Sequence, residues 1–273
     1  MFNARRRRTT FGLLLNMLEL TFIAAARQVR QTHRNAVWAI LLKVMQAMLF
    51  IAAFYVMFSV LGTRSISVRG DFMLYLLTGI FAYLTHIQAV REVMGAEGPT
   101  SAMMQHAPMN TLVAILSAAL SSLYTQTMSL LVLLLVLHTF FNPIVIHNWA
   151  GAFMMFLLAW GTGCVIGLVF LAAKPWMPEV VSILQLVYIR ANMIASGKMF
   201  VANMLPTSMI AFFDWNPLFH VIDQARGFVF VNYFPHYTNW QYPLYFTLVV
   251  LVLGFMAEAY TRKHASASWG AGR

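Results

Sequence analysis

Charge is scarce in this chain: only 10% of its 273 residues are charged. The eight acids, Glu19, Asp71, Glu92, Glu97, Glu179, Asp214, Asp223 and Glu258, are dispersed. No HExxH, paired-cysteine or EF-hand pattern occurs, so the chain reads as neither a metalloenzyme nor a calcium module. A GxxxxGK[ST] phosphate loop is missing too. If transport is driven by ATP, the ATPase is therefore expected on another polypeptide. Cys164 is the single cysteine, which excludes an intrachain disulfide, and its place in an apolar run reads as packing. Acidic or basic groups within several spans, as proton-coupled transport needs, are also absent; Arg190 alone lies clearly inside one.

What fills the chain instead is apolar sequence. Six stretches run from about Val37 to Leu61, Phe72 to Val93, Leu112 to Phe140, Ala150 to Ala173, Val180 to Ala195 and Tyr242 to Tyr260. Each is near the roughly 20 residues a helix needs to cross a hydrocarbon core of roughly 30 Å. The expected fold is all-α, a polytopic membrane protein with six transmembrane helices. Short loops leave no room for a second soluble core of ordinary size. The domains follow: 1–36 as a cytoplasmic N-terminal segment and interface helix, 37–260 as the transmembrane domain, and 261–273 as a cytoplasmic tail.

The formal charge of +10 sorts by side. With the N-terminus in the cytoplasm, Arg5 to Arg8, Arg27, Arg30, Arg34, Lys43, Arg91, Lys174, Arg262, Lys263 and Arg273 fall on or near that face. Arg64, Arg69 and Arg226 fall outside. The positive-inside bias thus places both termini in the cytoplasm, and it accounts for the charge without nucleic acid. The start of the chain imitates a signal peptide, but Asn16 and Glu19 interrupt its apolar run, so no cleavage is expected.

Arg27, Arg30 and Arg34 are spaced to share one helical face, opposite Phe22, Ala26, Val29 and Val37. This suits a helix at the cytoplasmic interface, or plain anchoring of the first span. Between the second and third spans, Gly95, Gly98, Pro99 and Pro108 bound a segment that is either a docking element or a connector. Arg190 sits two to three turns into the fifth span, where charge is expensive. It either faces a substrate path or makes a structural ion pair or snorkels. The following segment, 198–241, is too apolar for a solvated loop. Pro206 and Pro217 cut it into pieces too short to cross, which predicts re-entrant helices. Its aromatic residues fit an interfacial belt, or stacking on sugar rings. His138 and His147 do not make a metal signature.

Trp215, Asn216, Pro217, Leu218, His220 and Arg226 form a WNPL-x-H-x(5)-R pattern that resembles ABC-2 type exporter permeases, most closely those of capsular polysaccharide export. Phe72 to Phe81, Lys174 with Pro178 and Glu179, Ser196 to Pro206, and WAIL at Trp38 to Leu41 extend the likeness in order along nearly the whole chain. The resemblance implies a homodimer of six-span subunits in the bacterial inner membrane. Each subunit would be served by an ATP-binding cassette subunit that holds ATP and Mg, with this chain itself holding no cofactor. The cargo would be a lipid-linked acidic polysaccharide, with a periplasmic co-polymerase or export adaptor as a further partner. The implied substrate path comprises Arg190, Lys198, Tyr188, Trp215, Asn216, His220, Arg226, Tyr233 and Trp240. The implied ATPase-subunit contacts are Arg27, Arg30, Arg34, Gly95, Glu97 and Pro108, with 95–108 as the coupling segment. The chain departs from the pattern at Leu42 and Lys43, where an acid and a proline are common, and it has no Lys or Arg between Glu92 and Lys174. An O-antigen or teichoic-acid-type exporter, a lipid or drug exporter, and a membrane protein that is not a transporter are the competing classes.

Overall fold

The structure, a computed structural model, describes residues 10–32, 36–60, 71–98 and 111–264. Among them the regular elements are all helical: α1 (Thr10–Thr32), α2 (Ala36–Val60), α3 (Phe72–Met94), α4 (Thr111–Phe140), α5 (Trp149–Ala173), α6 (Pro178–Ala195), a 3-10 turn (Ala202–Met204), α7 (Thr207–Ile210), α8 (Pro217–Val229) and α9 (Gln241–His264). Helix α2 from Ile40, together with α3, α4, α5 and α9, is long and apolar enough to cross a membrane. These are five of the six stretches expected. The other, α6, is helical over 18 residues, which at 1.5 Å per residue is about 27 Å, at the short limit for a span.

Local sequence fixes the ends. Asp71 caps α3 by accepting from the Met73 amide at 2.8 Å, and Asn148 caps α5 by accepting from Gly151 at 2.9 Å. Pro178 and Pro217 sit in the first turns of α6 and α8, where a missing N–H breaks no helical bond.

Helix α3 is the centre of the bundle, buried along most of its length. Its tightest neighbour is α5, and the reason is the spacing of two small residues. A Cβ at Gly163 would collide with the His86 carbonyl, and one at Gly167 would lie 2.8 Å from the Val90 carbonyl. The pair therefore packs backbone against backbone, as small residues four apart allow in membranes. Helix α2 presents one stripe inward, Val44, Ala47, Ile51 and Phe54. Helix α9 buries little beyond Gly254, Glu258 and Thr261 along its length, and leaves Leu248, Val252 and Met256 exposed. Helix α1 packs against α4 through Thr21, Ala25 and Val29. Of the face opposite the arginines, Val29 is buried, while Phe22 and Ala26 are exposed on the outside of the bundle. Helix-helix packing claims the small side chains, and the large apolar ones stay outside.

Candidate functional site

The polar stripe of α8 organises the segment between α6 and α9. Asn216, His220, Asp223 and Arg226 are spaced four, three and three, so they share one face. Asn216 caps α8 by accepting from the Leu218 amide at 3.0 Å, and its own amide donates to Asn192 Oδ1 at 3.0 Å and the Ala195 carbonyl at 2.9 Å. His220 Nδ1 accepts from the Asn239 amide at 3.2 Å, so Nε2 carries the proton and donates to the Asp214 carbonyl at 2.7 Å. Asp223 accepts from the Ala202 amide at 3.2 Å, the Tyr233 hydroxyl at 2.5 Å and the Thr238 hydroxyl at 2.8 Å. Arg226 is 0% exposed and donates to three carbonyls: Gly197 at 3.0 Å, Phe200 at 2.5 Å and Lys198 at 2.6 Å. Its guanidinium carbon lies 4.3 Å from the Tyr75 ring centroid, in cation–π range.

These side chains are hydrogen-bonded within the protein, by backbone groups and by other side chains. Four residues expected on the path, Asn216, His220, Arg226 and Tyr233, are buried and engaged with the protein's own loops. In this structure they tie α8 to α6 and to the loops on either side of it. Asp223 and Thr238 belong to the same network, and the motif reading passed over them.

The turn 197–200 is pressed against α3. A Cβ on Gly79 would stand 2.5 Å from the Lys198 carbonyl and 2.7 Å from Arg226 Nη2, so glycine is required for this approach. Gly197 has φ +68°, the left-handed region that favours glycine, and closes the turn over Phe219. Lys198 follows, 1% exposed, with Nζ 3.9 Å from the Tyr83 ring centroid, 5.3 Å from Phe54 and 5.6 Å from Phe50. Its ammonium has no hydrogen-bond acceptor among the described residues. Aromatic faces replace one, at the level of the middle of α3. Lys198 is thus caged among these rings.

Helix α6 is held differently. Of its 18 residues, Val181, Ile189 and Asn192 are buried, while Ile183, Leu184, Leu186, Val187 and Ile194 are exposed. Polar pins fasten it. Tyr188 and His86 Nε2 are hydrogen-bonded at 2.8 Å, His86 Nδ1 lies 2.9 Å from Thr162 Oγ1, and the Tyr83 hydroxyl donates to the Ile189 carbonyl at 3.2 Å. His86 is fully buried, and sequence reading missed it because a lone histidine in an apolar run carries no pattern. Arg190 is exposed on this helix and makes no hydrogen bond or ion pair among the described residues. Trp215, 63% exposed, and Trp240 are also accessible, near the exposed rings of Phe212, Phe234 and Tyr237 in sequence. Of the expected path residues, then, Arg190, Trp215 and Trp240 face outward, and Tyr188 is half-buried.

At the other end of α3, Lys43 donates to Gln88 Oε1 at 2.7 Å, and Gln88 donates to Glu92 at 2.5 Å. Lys43 is thereby tied to α3. Gly95 ends α3 with its amide on the Arg91 carbonyl at 2.9 Å, and Glu97 is exposed beyond it. Arg27 is exposed on α1. The Arg30 side chain, Arg34, Pro108 and residues 99–108 of the coupling segment lie outside the described residues. The turn at Lys174 to Met177 docks on α9, where Trp176 donates to Thr261 Oγ1 at 2.9 Å and stacks on Tyr260.

No protein-family model matches the chain. Among curated proteins it is similar to two sequences of the polysialic acid transport protein KpsM of Escherichia coli. They are 24% and 25% identical over 199 residues, which covers 71% of this chain and 75% of each relative. These matches support the relation to capsular polysaccharide export permeases that the ordered motifs suggest.

Proposed function

We propose that this chain is the membrane subunit of an ATP-driven exporter that moves a lipid-linked, acidic polysaccharide outward across the bacterial inner membrane. The similarity to polysialic acid transport proteins over 75% of their length carries this reading. Two copies form the permease, each with α6 as a sixth span, both termini cytoplasmic and 198–241 re-entrant. Two ATP-binding cassette subunits, holding ATP and Mg, dock at α1 and at the coupling segment after α3. Arg190 is the residue we assign to the path. A guanidinium on an apolar, outward face is costly in lipid, so this face of α6 turns toward water or a second copy. There it offers a cation to the anionic groups of a passing glycan, while Trp215 and Trp240 offer flat faces for sugar rings. Asn216, His220, Asp223 and Arg226 hold the segment that carries those aromatics.

The test is surface polysaccharide in cells lacking this chain, complemented by the intact protein or by Arg190→Glu. Glycan accumulating inside the deletion strain, with export restored by the intact protein alone at equal abundance, is the expected result. Restoration by Arg190→Glu removes the path role. Unchanged surface glycan on deletion removes polysaccharide export altogether, and a lipid or drug exporter takes its place.

A further inference from the structure

Helix α4 carries a carboxamide deep in an apolar bundle. Gln126, in the middle of this 30-residue helix, is 3% exposed, and its side chain makes no hydrogen bond among the described residues. A buried amide without a partner is costly, the more so at membrane depth. Gln126 lines a notch of about 20 Å³ between α2, α3 and α4. The other polar walls are Lys43 and Gln46 of α2 and Gln88 and Arg91 of α3. Phe81, Leu84 and Ile87 of α3 close the remainder.

Part of this polarity is already used. Lys43 donates one proton to Gln88 Oε1 at 2.7 Å, and the Gln88 amide donates one to Glu92 at 2.5 Å. Lys43 keeps two donors, and Gln88 keeps a further N–H and a second lone pair. Gln46, like Gln126, makes no hydrogen bond among the described residues. Of the lining residues Arg91 is the exposed one, near the end of α3, and it marks the open side of the notch.

Size and chemistry together select the occupant. A water molecule needs about 10–15 Å³ for its centre and two to four polar partners, and the notch meets both needs for a single water. An apolar guest would leave the carboxamides unpaired. A bare anion would be drawn to Lys43 and Arg91, but the three carboxamides each bring an acceptor oxygen, and the Glu92 carboxylate lies just beyond Gln88. Such a mixed lining suits a molecule that both donates and accepts.

We propose that the notch is a binding site for one ordered water, which joins Gln126 of α4 to α2 and α3. The water supplies Gln126 with the partner that no neighbouring side chain provides, and it makes the junction of these three helices a water-mediated one. The site rests on α2, α3 and α4 alone and is independent of the cargo.

The test is X-ray radiolysis of the full-length protein in lipid nanodiscs, in which hydroxyl radicals formed from bound water oxidise the side chains beside it. Phe81 and Ile87 are buried in the notch; Leu133 and Ile222 are as deeply buried away from it. Phe81 and Ile87 should be oxidised several-fold faster than Leu133 and Ile222. Gln126→Leu and Gln46→Leu each remove a polar wall, and each should bring Phe81 and Ile87 down to the level of the other two. If one variant fails to fold, the other and the intact protein still decide. Oxidation in the intact protein no faster than at Leu133 and Ile222 overturns the proposal, as does fast oxidation that persists in the folded variants. Fast oxidation that appears only when chloride is replaced by gluconate also overturns it, and makes the occupant an anion.

Discussion

Arg226→Met should detach the turn 197–200 from α3. The substitution keeps an unbranched apolar stem but removes the donors to the Gly197, Lys198 and Phe200 carbonyls together. A buried acceptor left without its partner loses about 1–3 kcal/mol, so three at the low end sum to about 3 kcal/mol. At about 1.4 kcal/mol per factor of ten, the open form of the turn rises by about 100-fold. Amide hydrogen exchange in lipid nanodiscs reads this directly. Residues 197–204 should exchange faster in the variant, while the interior of α9 stays as in the wild type. Arg226→Lys should fall between, because an ammonium cannot fork to three carbonyls. Unchanged exchange in 197–204 together with lost export would refute the clamp and return Arg226 to the substrate path.

Gly79→Ala should act on the same contact from the opposite side. Its new methyl meets backbone at 2.5 Å, and overpacking of this kind costs about 1–3 kcal/mol, seen as a lowered thermal midpoint in detergent. His86→Leu should loosen α6 by stranding the Tyr188 hydroxyl, so that protease cleavage within 178–195 accelerates; Tyr188→Phe should show a smaller effect, and resistance equal to wild type in both would remove the pin. Trp215→Ala and Trp240→Ala should leave stability within about 0.5 kcal/mol of wild type, as exposed positions do, while reducing glycan export. A large loss of stability would make them scaffold instead.

The helices were legible because hydrophobic length is a strong signal, and five stretches became helices able to span a membrane. Pro217 after Asn216 likewise announced the start of α8. Helix α6 was legible as a helix, but its 18 residues with Arg190, Asn192 and Gln185 fall short in apolar character, so its span rests on the proposal. The motif Trp215 to Arg226 was visible, yet its use was not. Nothing in a linear pattern says whether an arginine faces solvent or three carbonyls from a turn 26 to 29 residues away. His86 and Gly79 were silent for the same reason, since their meaning lies in what another helix or turn brings to them. Arg190 is exposed on α6, and its path role rests on the proposal.

Helix α3 touches both ends of the problem. It is about 34 Å long, from 23 residues at 1.5 Å each. One end leads into the segment after Met94, and near the other Gly79 and Tyr75 receive the Lys198 carbonyl and the Arg226 guanidinium. Direct backbone contact with α5 through Gly163 and Gly167 leaves little slack for bending. Such a helix has the build of a push-rod: displaced as a rigid body at Gly95, it would press on the turn 197–200.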